Sequence, residues 1–263
     1  DAPYARTLEQ RIIDVIVDAA SAAGPALFAL DQRDIELNRN RHWKGDNPPL
    51  DRGLSTLHVR APDGRVIATL VNYAAHPTMV DGELLEFSAD YPGHMMRAVE
   101  RELGGVCLFM QGAAGDVSAA PAGGRSAEGM GAQLAAEVLA AAADAAPKLV
   151  PDARIASIED DFQFASRVNF ASPFIIAAYS EAFYPEIVEA GVAEFADGVR
   201  PHLTTVHVAG AGFEIAFAGV SGELFCDLGL RLKARAPAPT MVLGYCNGHQ
   251  LYFPTIEAAA MGG

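Results

Sequence analysis

The sequence has few basic residues, no long apolar run and little cysteine. Its 263 residues include 19 Lys and Arg against 33 Asp and Glu, which gives a formal net charge of −14. A nucleic-acid surface needs clustered Lys and Arg to replace the counterions of the phosphates, so we expect no nucleic-acid partner. Gly, Pro or a charge interrupts each apolar stretch before it reaches the ~18 residues that a transmembrane helix requires.

The cysteines and the start of the chain give weaker signals. Cys107, Cys226 and Cys246 are odd in number and lie in apolar contexts, which predicts buried free thiols rather than disulfides. The first residues have the apolar spacing of an amphipathic helix, without the basic segment and apolar core of a signal peptide. We expect this chain to be an internal piece of a longer protein, so the missing signal peptide does not establish a cytoplasmic location.

Hairpin patterns and strand–helix patterns alternate along the chain. The strand-like runs 54–60 and 65–75 flank an Asp-Gly turn, which is a hairpin signal. A helical pattern over 88–104 leads to VCLFMQ (106–111), a run typical of a strand buried on both faces. This order predicts an α/β fold in which mixed β-sheet is covered by helices. No internal repeat or linker divides the chain, so we predict a single domain over residues 1–263.

Chemically reactive side chains follow four apolar runs that are predicted strands. They are His76, Asp116, Ser118, Glu223 and Tyr252. In an open α/β sheet, ligands bind in the crevice beyond the carboxyl ends of the strands, so we expect these residues to meet in space. Imidazole and carboxylate are ligands of catalytic zinc, and a dication lowers the pKa of a phenol enough for it to bind as phenolate. The pattern therefore favours a hydrolase.

Each of these residues, taken singly, also has an ordinary structural explanation. His76 ends a predicted strand just before a proline, where a histidine is commonly structural. The small-residue loop 112–118 has neither a phosphate-loop ending nor a Gly-x-Ser-x-Gly pattern, and Asp116 can bond its own backbone there. Glu223 is expected to open a helix, whose dipole stabilises a carboxylate. A solvent-facing side chain is the common case for a tyrosine such as Tyr252.

Several short motifs stand in a characteristic order along the chain. They are NRNR (38–41), NYAAHPT (72–78), SADYPG (88–93), GDVS (115–118), SGE (221–223), LGLRLK (228–233) and YFPT (252–255). In this order they resemble the catalytic domain of the neutral/alkaline, non-lysosomal ceramidase family. The resemblance covers nearly the whole chain except 165–200. It implies hydrolysis of the ceramide amide to a fatty acid and a sphingoid base.

The resemblance also implies a metal ion, a lipid partner and a location. It puts His76, Glu223 and Tyr252 at the ligand positions of one zinc ion. The expected substrate is a small lipid molecule, which the enzyme would reach at a membrane surface. By the same analogy the protein is secreted or periplasmic.

Three further residues match active-site positions of the family. Ser118 and Asp116 belong to its Gly-Asp-x-Ser motif. Ser118 is either a nucleophile or a group that positions the substrate, and the lack of an obvious partner base favours positioning. Arg41 matches an active-site arginine, with Arg39 as the neighbouring alternative.

The sequence departs from the family pattern in three ways. The family has another zinc ligand in an upstream His-x-His-x-Gly motif, and nothing here matches it. The family serine is usually followed by Pro, where this sequence has Ala119. The family's C-terminal β-sandwich domain is also missing. We therefore expect an incomplete catalytic domain in which zinc is weakly held or absent in this chain alone.

Two other functions remain consistent with the sequence. One is a zinc hydrolase of the same fold that cleaves another amide or ester, because fold and metal site do not determine the substrate. The other is a lipid- or glycan-binding domain that has lost the metal. The aromatic residues between 162 and 184 either line an acyl groove or belong to an ordinary core.

Overall fold

The computed structural model is an α/β fold with two main β-sheets. The structure describes residues 2–145, 148–150, 153–166, 169–182, 185–195 and 197–261. The helices are α1 (Ala2–Ser21), α2 (Asp90–Leu103), α3 (Ala127–Asp144), α4 (Pro173–Ala182), α5 (Pro185–Glu194), α6 (Cys226–Arg235) and α7 (Ile256–Ala260). The strands are β1 (Leu27–Asp34), β2 (Asn38–Asn40), β3 (Gly53–Arg60), β4 (Val66–Tyr73), β5 (Val106–Gln111), β6 (Val117–Ala119), β7 (Lys148–Leu149), β8 (Arg154–Asp161), β9 (His202–Gly210), β10 (Phe213–Val220), β11 (Glu223–Leu224), β12 (Thr240–Leu243) and β13 (Tyr252–Phe253).

A five-stranded sheet in the order β5-β4-β3-β1-β7 carries the largest part of the core. Strands β1, β3 and β4 pair antiparallel, whereas β4 and β5 pair in parallel. Side chains from one face of β3 and β4 pack with those of α2 and α3. On that face Leu54, Val71 and Tyr73 share one buried cluster with Met95 and Leu134 of the helices. The two-residue period of the strands and the helical period of α2 and α3 build this core together.

A four-stranded sheet in the order β12-β10-β9-β8 packs on the other face of the first sheet. Leu57 of the first sheet belongs to the same buried cluster as Ile215 and Met241 of the second. Phe28 and Phe213 stack across this interface with their ring centroids 5.4 Å apart. This arrangement of helices and mixed sheets confirms the fold class predicted from the sequence.

Two strand–helix–strand units bring the carboxyl ends of four strands together. Helix α2 connects the parallel strands β4 and β5, and α6 lies between the parallel strands β10 and β12. The Asn72 amide donates to the carbonyl oxygens of Met110 (3.0 Å) and Val242 (2.9 Å). The Gly244 N–H donates to the Gln111 carbonyl oxygen at 2.9 Å. These bonds join the ends of the two sheets, where the predicted site residues follow.

The prediction that Glu223 opens a helix is wrong. Glu223 lies in the short strand β11, and α6 begins three residues later at Cys226. The Glu223 N–H donates to the Leu251 carbonyl oxygen at 2.8 Å instead of standing free in a first helical turn. A parallel partner 29 positions away decides this conformation, so local helix signals could not reveal it.

The three cysteines are free, as predicted. Cys107 and Cys226 are buried, whereas Cys246 is partly exposed. Burial raises the pKa of each thiol, which keeps the thiols protonated at neutral pH.

The aromatic segment does not behave as a single core element. Its exposed members are Phe162, Phe164 and Phe174. Phe170, which precedes α4, packs against Tyr179 of that helix with ring centroids 5.9 Å apart. Phe183 and Tyr184 lie outside the described residues. The segment therefore keeps apolar rings at the surface.

Helix α1 forms where the sequence predicts it. Its side chains are exposed, including Leu8, Ile12, Val15 and Ile16 of its apolar face. Within the described ranges, no helix combines the length and apolar character needed to cross a bilayer.

Because His58 is buried, we expect the free energy of unfolding to fall at mildly acidic pH. Its ring lies on β3 between the hydroxyls of Thr56 (3.1 Å) and Thr69 (3.4 Å). Burial, followed by the charge of Arg60, lowers the pKa of His58 from 6.5 to about 4, against a smaller opposite effect of Asp31. The unfolded chain therefore binds a proton below pH 6.5 that the native state accepts only near pH 4.

We expect the free energy of unfolding to be highest above the unfolded-state pKa and to fall by up to about 3 kcal/mol as the pH approaches the folded-state pKa. Urea unfolding of wild type and His58→Gln across this pH range measures the contribution. The variant lacks the titrating ring, so its stability should depend less on pH. Identical pH profiles of the two proteins would contradict the assignment.

Candidate active site

A two-residue parallel ladder sets Glu223 beside Tyr252. Strands β11 and β13 pair with Glu223 opposite Tyr252 and Leu224 opposite Phe253. The Phe225 N–H donates to the Phe253 carbonyl oxygen at 3.1 Å and continues the ladder. Residues opposite each other in a sheet direct their side chains to the same face, so the carboxylate and the phenol are neighbours.

His76 reaches the same place from the end of β4. Its N–H donates to the Val117 carbonyl oxygen at 3.0 Å, and its backbone forms a parallel bridge with Ser118. The Nε2 atom of His76 lies 2.9 Å from Oε2 of Glu223. Both residues are 7% exposed, so this contact is shielded from bulk water.

The His76–Glu223 contact leaves two buried polar atoms without a well-formed hydrogen bond. Although Nε2 and Oε2 are only 2.9 Å apart, neither has a hydrogen-bond partner of good geometry among the described residues. Buried polar atoms without well-formed hydrogen bonds are costly, and a bound ion is one arrangement that would satisfy them. An imidazole nitrogen and a carboxylate oxygen that flank one position fit a zinc ion.

The environment keeps His76 neutral. Burial, followed by the positive charge of Arg41, lowers the pKa of His76, and the opposing effect of Glu223 is smaller. A neutral imidazole is the form that binds a metal, because the coordinating nitrogen must offer its lone pair.

Tyr252 completes a donor set of imidazole, carboxylate and phenol. Its ring centroid lies 6.5 Å from that of His76, in an edge-on arrangement. Burial, then interaction with Glu223, raises the pKa of Tyr252, while a hydrogen bond with Arg41 acts in the opposite direction. Tyr252 is 47% exposed, so the phenol lies where the buried pair opens to solvent.

Asp116 holds Arg41 and the start of α6 in place. Its buried carboxylate accepts hydrogen bonds from the Asn40 amide (2.7 Å) and from the Cys226 N–H (2.7 Å). The backbone carbonyl of Asp116 accepts from the Arg41 N–H at 2.8 Å, and the Arg41 guanidinium donates to the Gly115 carbonyl at 3.0 Å. These contacts direct Arg41 towards Tyr252.

Ser118 and Arg39 lie on the neighbouring two-stranded ladder. Strands β2 and β6 pair antiparallel, with Arg39 opposite Ser118. Arg39 is exposed, and Ser118 is half-buried beside the backbone of His76. One ring nitrogen of His76 faces Glu223, and the other lies 3.4 Å from the Tyr245 hydroxyl. Neither nitrogen is therefore directed at Ser118 as a base.

Two residues of the site, Tyr245 and His249, were not predicted from the sequence. The Tyr245 hydroxyl lies 3.4 Å from Nδ1 of His76, and Nε2 of His249 lies 3.3 Å from Oε1 of Glu223. The two rings stack with centroids 5.5 Å apart and an interplanar angle of 13°. The signal available in the sequence was the polar segment directly after the last buried strand, the position that this fold class uses for ligands.

The SADYPG motif supports the segment that follows His76. The Asp90 carboxylate accepts from the N–H groups of Met79 (2.8 Å) and Val80 (2.8 Å). The Tyr91 hydroxyl donates to the Ala75 carbonyl oxygen at 2.6 Å. These bonds fix the chain on both sides of His76, so the motif has a structural role.

Comparison with solved structures shows which fold this chain has. The crystal structure of neutral ceramidase from Pseudomonas aeruginosa superposes with a TM-score of 0.71 and 16% sequence identity, over 96% of this chain and 50% of that chain. The chain has a neutral-ceramidase fold. A ceramidase complexed with C2 is also similar, with a TM-score of 0.65 and 16% identity, over 90% of this chain and 49% of that chain.

The chain spans about half the length of these ceramidases. No family model matches the sequence, and no curated protein matches it. The backbone thus retains the neutral-ceramidase fold at a sequence identity of 16%.

Two glycines of this ceramidase fold allow the site segments to approach one another. A Cβ atom on Gly115 would lie 2.7 Å from the Glu223 carbonyl oxygen and 2.9 Å from the Phe225 ring. A Cβ atom on Gly222 would lie 2.8 Å from the Leu251 carbonyl oxygen. All three distances are too short for a real Cβ atom, so only glycine fits at either position. The two glycines therefore allow β11 to lie where it does.

A phenol lies beside the two residues of this edge that are conventional metal ligands. Within the described part of the chain, no group of three or more His, Cys, Asp and Glu residues is arranged to hold a metal. His76 and Glu223 supply two such donors, and Tyr252 is the third group beside them. A zinc ion bound here would therefore need the Tyr252 phenol as its third ligand, together with any further ligand supplied at the same place.

Proposed function

We propose that this protein is a zinc-dependent amidohydrolase that cleaves the N-acyl amide of ceramide-like sphingolipids. The observation that carries the proposal is the buried pair of His76 Nε2 and Glu223 Oε2, 2.9 Å apart and without well-formed hydrogen bonds. This pair lies beside Tyr252 in a neutral-ceramidase fold, at the strand ends where ligands bind.

His76, Glu223 and Tyr252 would hold the zinc ion. When bound, zinc supplies Lewis acidity and brings the pKa of a water molecule towards neutrality. The low pKa of His76 keeps its lone pair available at neutral pH. The carboxylate contributes negative charge beside the Arg41 guanidinium, and the phenol would do so as phenolate when it binds the cation.

Arg41 supplies positive charge where the amide oxygen becomes negative. Its guanidinium is fixed by the Gly115 carbonyl and acts on both His76 and Tyr252. A fixed cation at the developing oxyanion stabilises the transition state more than the ground state. Arg41 therefore orients the acyl oxygen and balances its charge.

Ser118 has a positioning role in this proposal. Its backbone forms a bridge with that of His76, and the two ring nitrogens of His76 face Glu223 and Tyr245 rather than Ser118. Without a base, a serine hydroxyl is a weak nucleophile but a good hydrogen-bond donor and acceptor. Asp116 acts through Arg41 and α6, whose start it holds.

Exposed apolar side chains in the segment that follows His76 support a lipid substrate. The segment between His76 and α2 carries Leu84, Leu85 and Phe87, all of which are exposed. Contiguous exposed apolar groups commonly mark contact with another molecule or a membrane. We extend the proposal to access from a membrane surface and to a secreted or periplasmic location.

A non-catalytic lipid- or glycan-binding domain is the second candidate. The observation that favours it is that, among the described residues, no three His, Cys, Asp or Glu side chains are grouped so as to hold a metal ion. A zinc hydrolase of the same fold acting on another amide or ester is the remaining alternative.

The complete gene product distinguishes these functions in one experiment. Zinc content is measured by mass spectrometry, and turnover is followed with a fluorescent short-chain ceramide, a fluorescent ester and long-chain ceramide in phosphatidylcholine vesicles. We expect stoichiometric zinc and cleavage of both ceramides. Zinc with ester turnover alone would indicate another substrate, no zinc would indicate a binding domain, and cleavage of the soluble ceramide alone would contradict surface access.

A further inference from the structure

The buried candidate ligands His76 and Glu223 each have two polar side-chain atoms. We call the atom that faces the other ligand the inner atom and the second one the outer atom. The inner atoms, His76 Nε2 and Glu223 Oε2, face each other at 2.9 Å. The outer atoms are both contacted by the loop after β12, with Tyr245 at His76 Nδ1 (3.4 Å) and His249 at Glu223 Oε1 (3.3 Å). The loop thus occupies the outer atoms and leaves the inner ones for a ligand.

We propose that Tyr245 and His249 are positioning residues that hold His76 and Glu223 with their inner atoms turned into the site. This inference rests on the proposed function, because it assigns these two residues to the zinc site of that proposal. It concerns how the ligands are oriented and gives neither residue contact with the substrate.

Tyr245 can serve both ligands at once. In the tautomer that binds metal through Nε2, the Nδ1–H group of His76 donates to the Tyr245 hydroxyl oxygen. The Tyr245 hydroxyl also interacts with Glu223, so it can donate to the carboxylate while it accepts from the imidazole. Partners of this kind fix the tautomer and orientation of metal ligands.

The backbone holds this loop in register with Glu223. Tyr245 has a φ of 59°, in the left-handed region that a tyrosine rarely adopts. Its N–H donates to the Gly222 carbonyl at 3.2 Å, and the Gln250 N–H donates to the Ser221 carbonyl at 2.7 Å. Both acceptors lie immediately before Glu223, so the unusual conformation is anchored to the strand that carries the ligand.

Stacking against Tyr245 holds the ring of His249 in place. The rings of Tyr245 and His249 lie 5.5 Å apart at 13°, so the orientation of one determines that of the other. His249 is half-exposed, and it closes the solvent side of the Glu223 carboxylate. The two contacts therefore act as one unit on the two ligands.

The test measures zinc affinity of the complete gene product by competition with a chelator. We expect Tyr245→Phe, which removes only the hydroxyl, to weaken zinc binding by about 10- to 100-fold. His249→Ala should weaken it similarly, and His249→Gln should restore part of the affinity because its amide can donate to Oε1. Tyr4→Phe, on exposed α1, and His207→Gln, whose ring lies 3.7 Å from Glu214 at the surface, are the matched controls.

A second readout does not require zinc. Nitrogen NMR of the metal-free protein should identify His76 as the Nδ1–H tautomer in wild type and as a mixture in Tyr245→Phe. Unchanged zinc affinity and an unchanged tautomer in Tyr245→Phe would overturn the positioning role while leaving the proposed function intact. A wild-type protein that binds no zinc would overturn the proposed function, and the tautomer would then still decide whether Tyr245 orients His76.

Discussion

Glu223→Gln should abolish zinc binding and amide hydrolysis together in the complete gene product. The carboxylate is the buried anionic group beside His76, and a neutral amide removes the negative charge that binds the cation. Turnover should fall by about 10³-fold or more, because the metal contributes several kcal/mol of transition-state stabilisation. The fold should persist, since Glu223 pairs with β13 through its backbone. Zinc content and ceramide turnover measure the two losses.

Glu214→Gln is the matched control for this result. Glu214 is an exposed carboxylate on β10, and it lies 3.7 Å from His207. We expect that variant to keep wild-type zinc content and turnover. Stoichiometric zinc in Glu223→Gln would refute the assignment of Glu223 as a ligand.

Arg41→Gln should lower kcat/KM by about 10²- to 10³-fold and leave zinc in place, as loss of a donor to a developing oxyanion does. The guanidinium acts on His76 and Tyr252 from outside the buried pair, so its removal spares the proposed ligands. Ceramide turnover, with zinc content measured on the same samples, separates a catalytic loss from a loss of metal.

Arg39→Gln tests the alternative arginine with the same substitution two positions away. Arg39 is exposed on β2 and pairs with Ser118 only through the backbone ladder. Its loss should have little effect on turnover. A large defect in Arg39→Gln together with normal turnover in Arg41→Gln would reverse the assignment.

The sequence predicted the fold class and the separate strand ends because those depend on local patterns. The alternation in β3 and β4 and the Asp-Gly turn between them are readable within a few residues. Strand β4 followed by α2 and β5 then requires a parallel pair, which puts the segments after β4 and β5 at one edge. His76 could therefore be placed near the loop 112–118 without coordinates.

The remaining parts of the site depend on contacts between distant segments. Glu223 pairs with Tyr252 through a ladder of two residues, which is too short to leave a pattern in the sequence. Tyr245 adopts a left-handed conformation that a tyrosine disfavours, and hydrogen bonds from another segment hold it there. His249 reaches the site only because that loop turns back. Such residues are set by tertiary structure rather than by local propensity.

The central claim is that His76 and Glu223 share one zinc ion, and anomalous diffraction at the zinc absorption edge tests it most directly. Crystals of the complete gene product grown with zinc should give one strong peak about 2.0–2.2 Å from His76 Nε2, a Glu223 carboxylate oxygen and the Tyr252 hydroxyl oxygen. The absence of a peak between His76 and Glu223, with zinc bound elsewhere or not at all, would contradict the account.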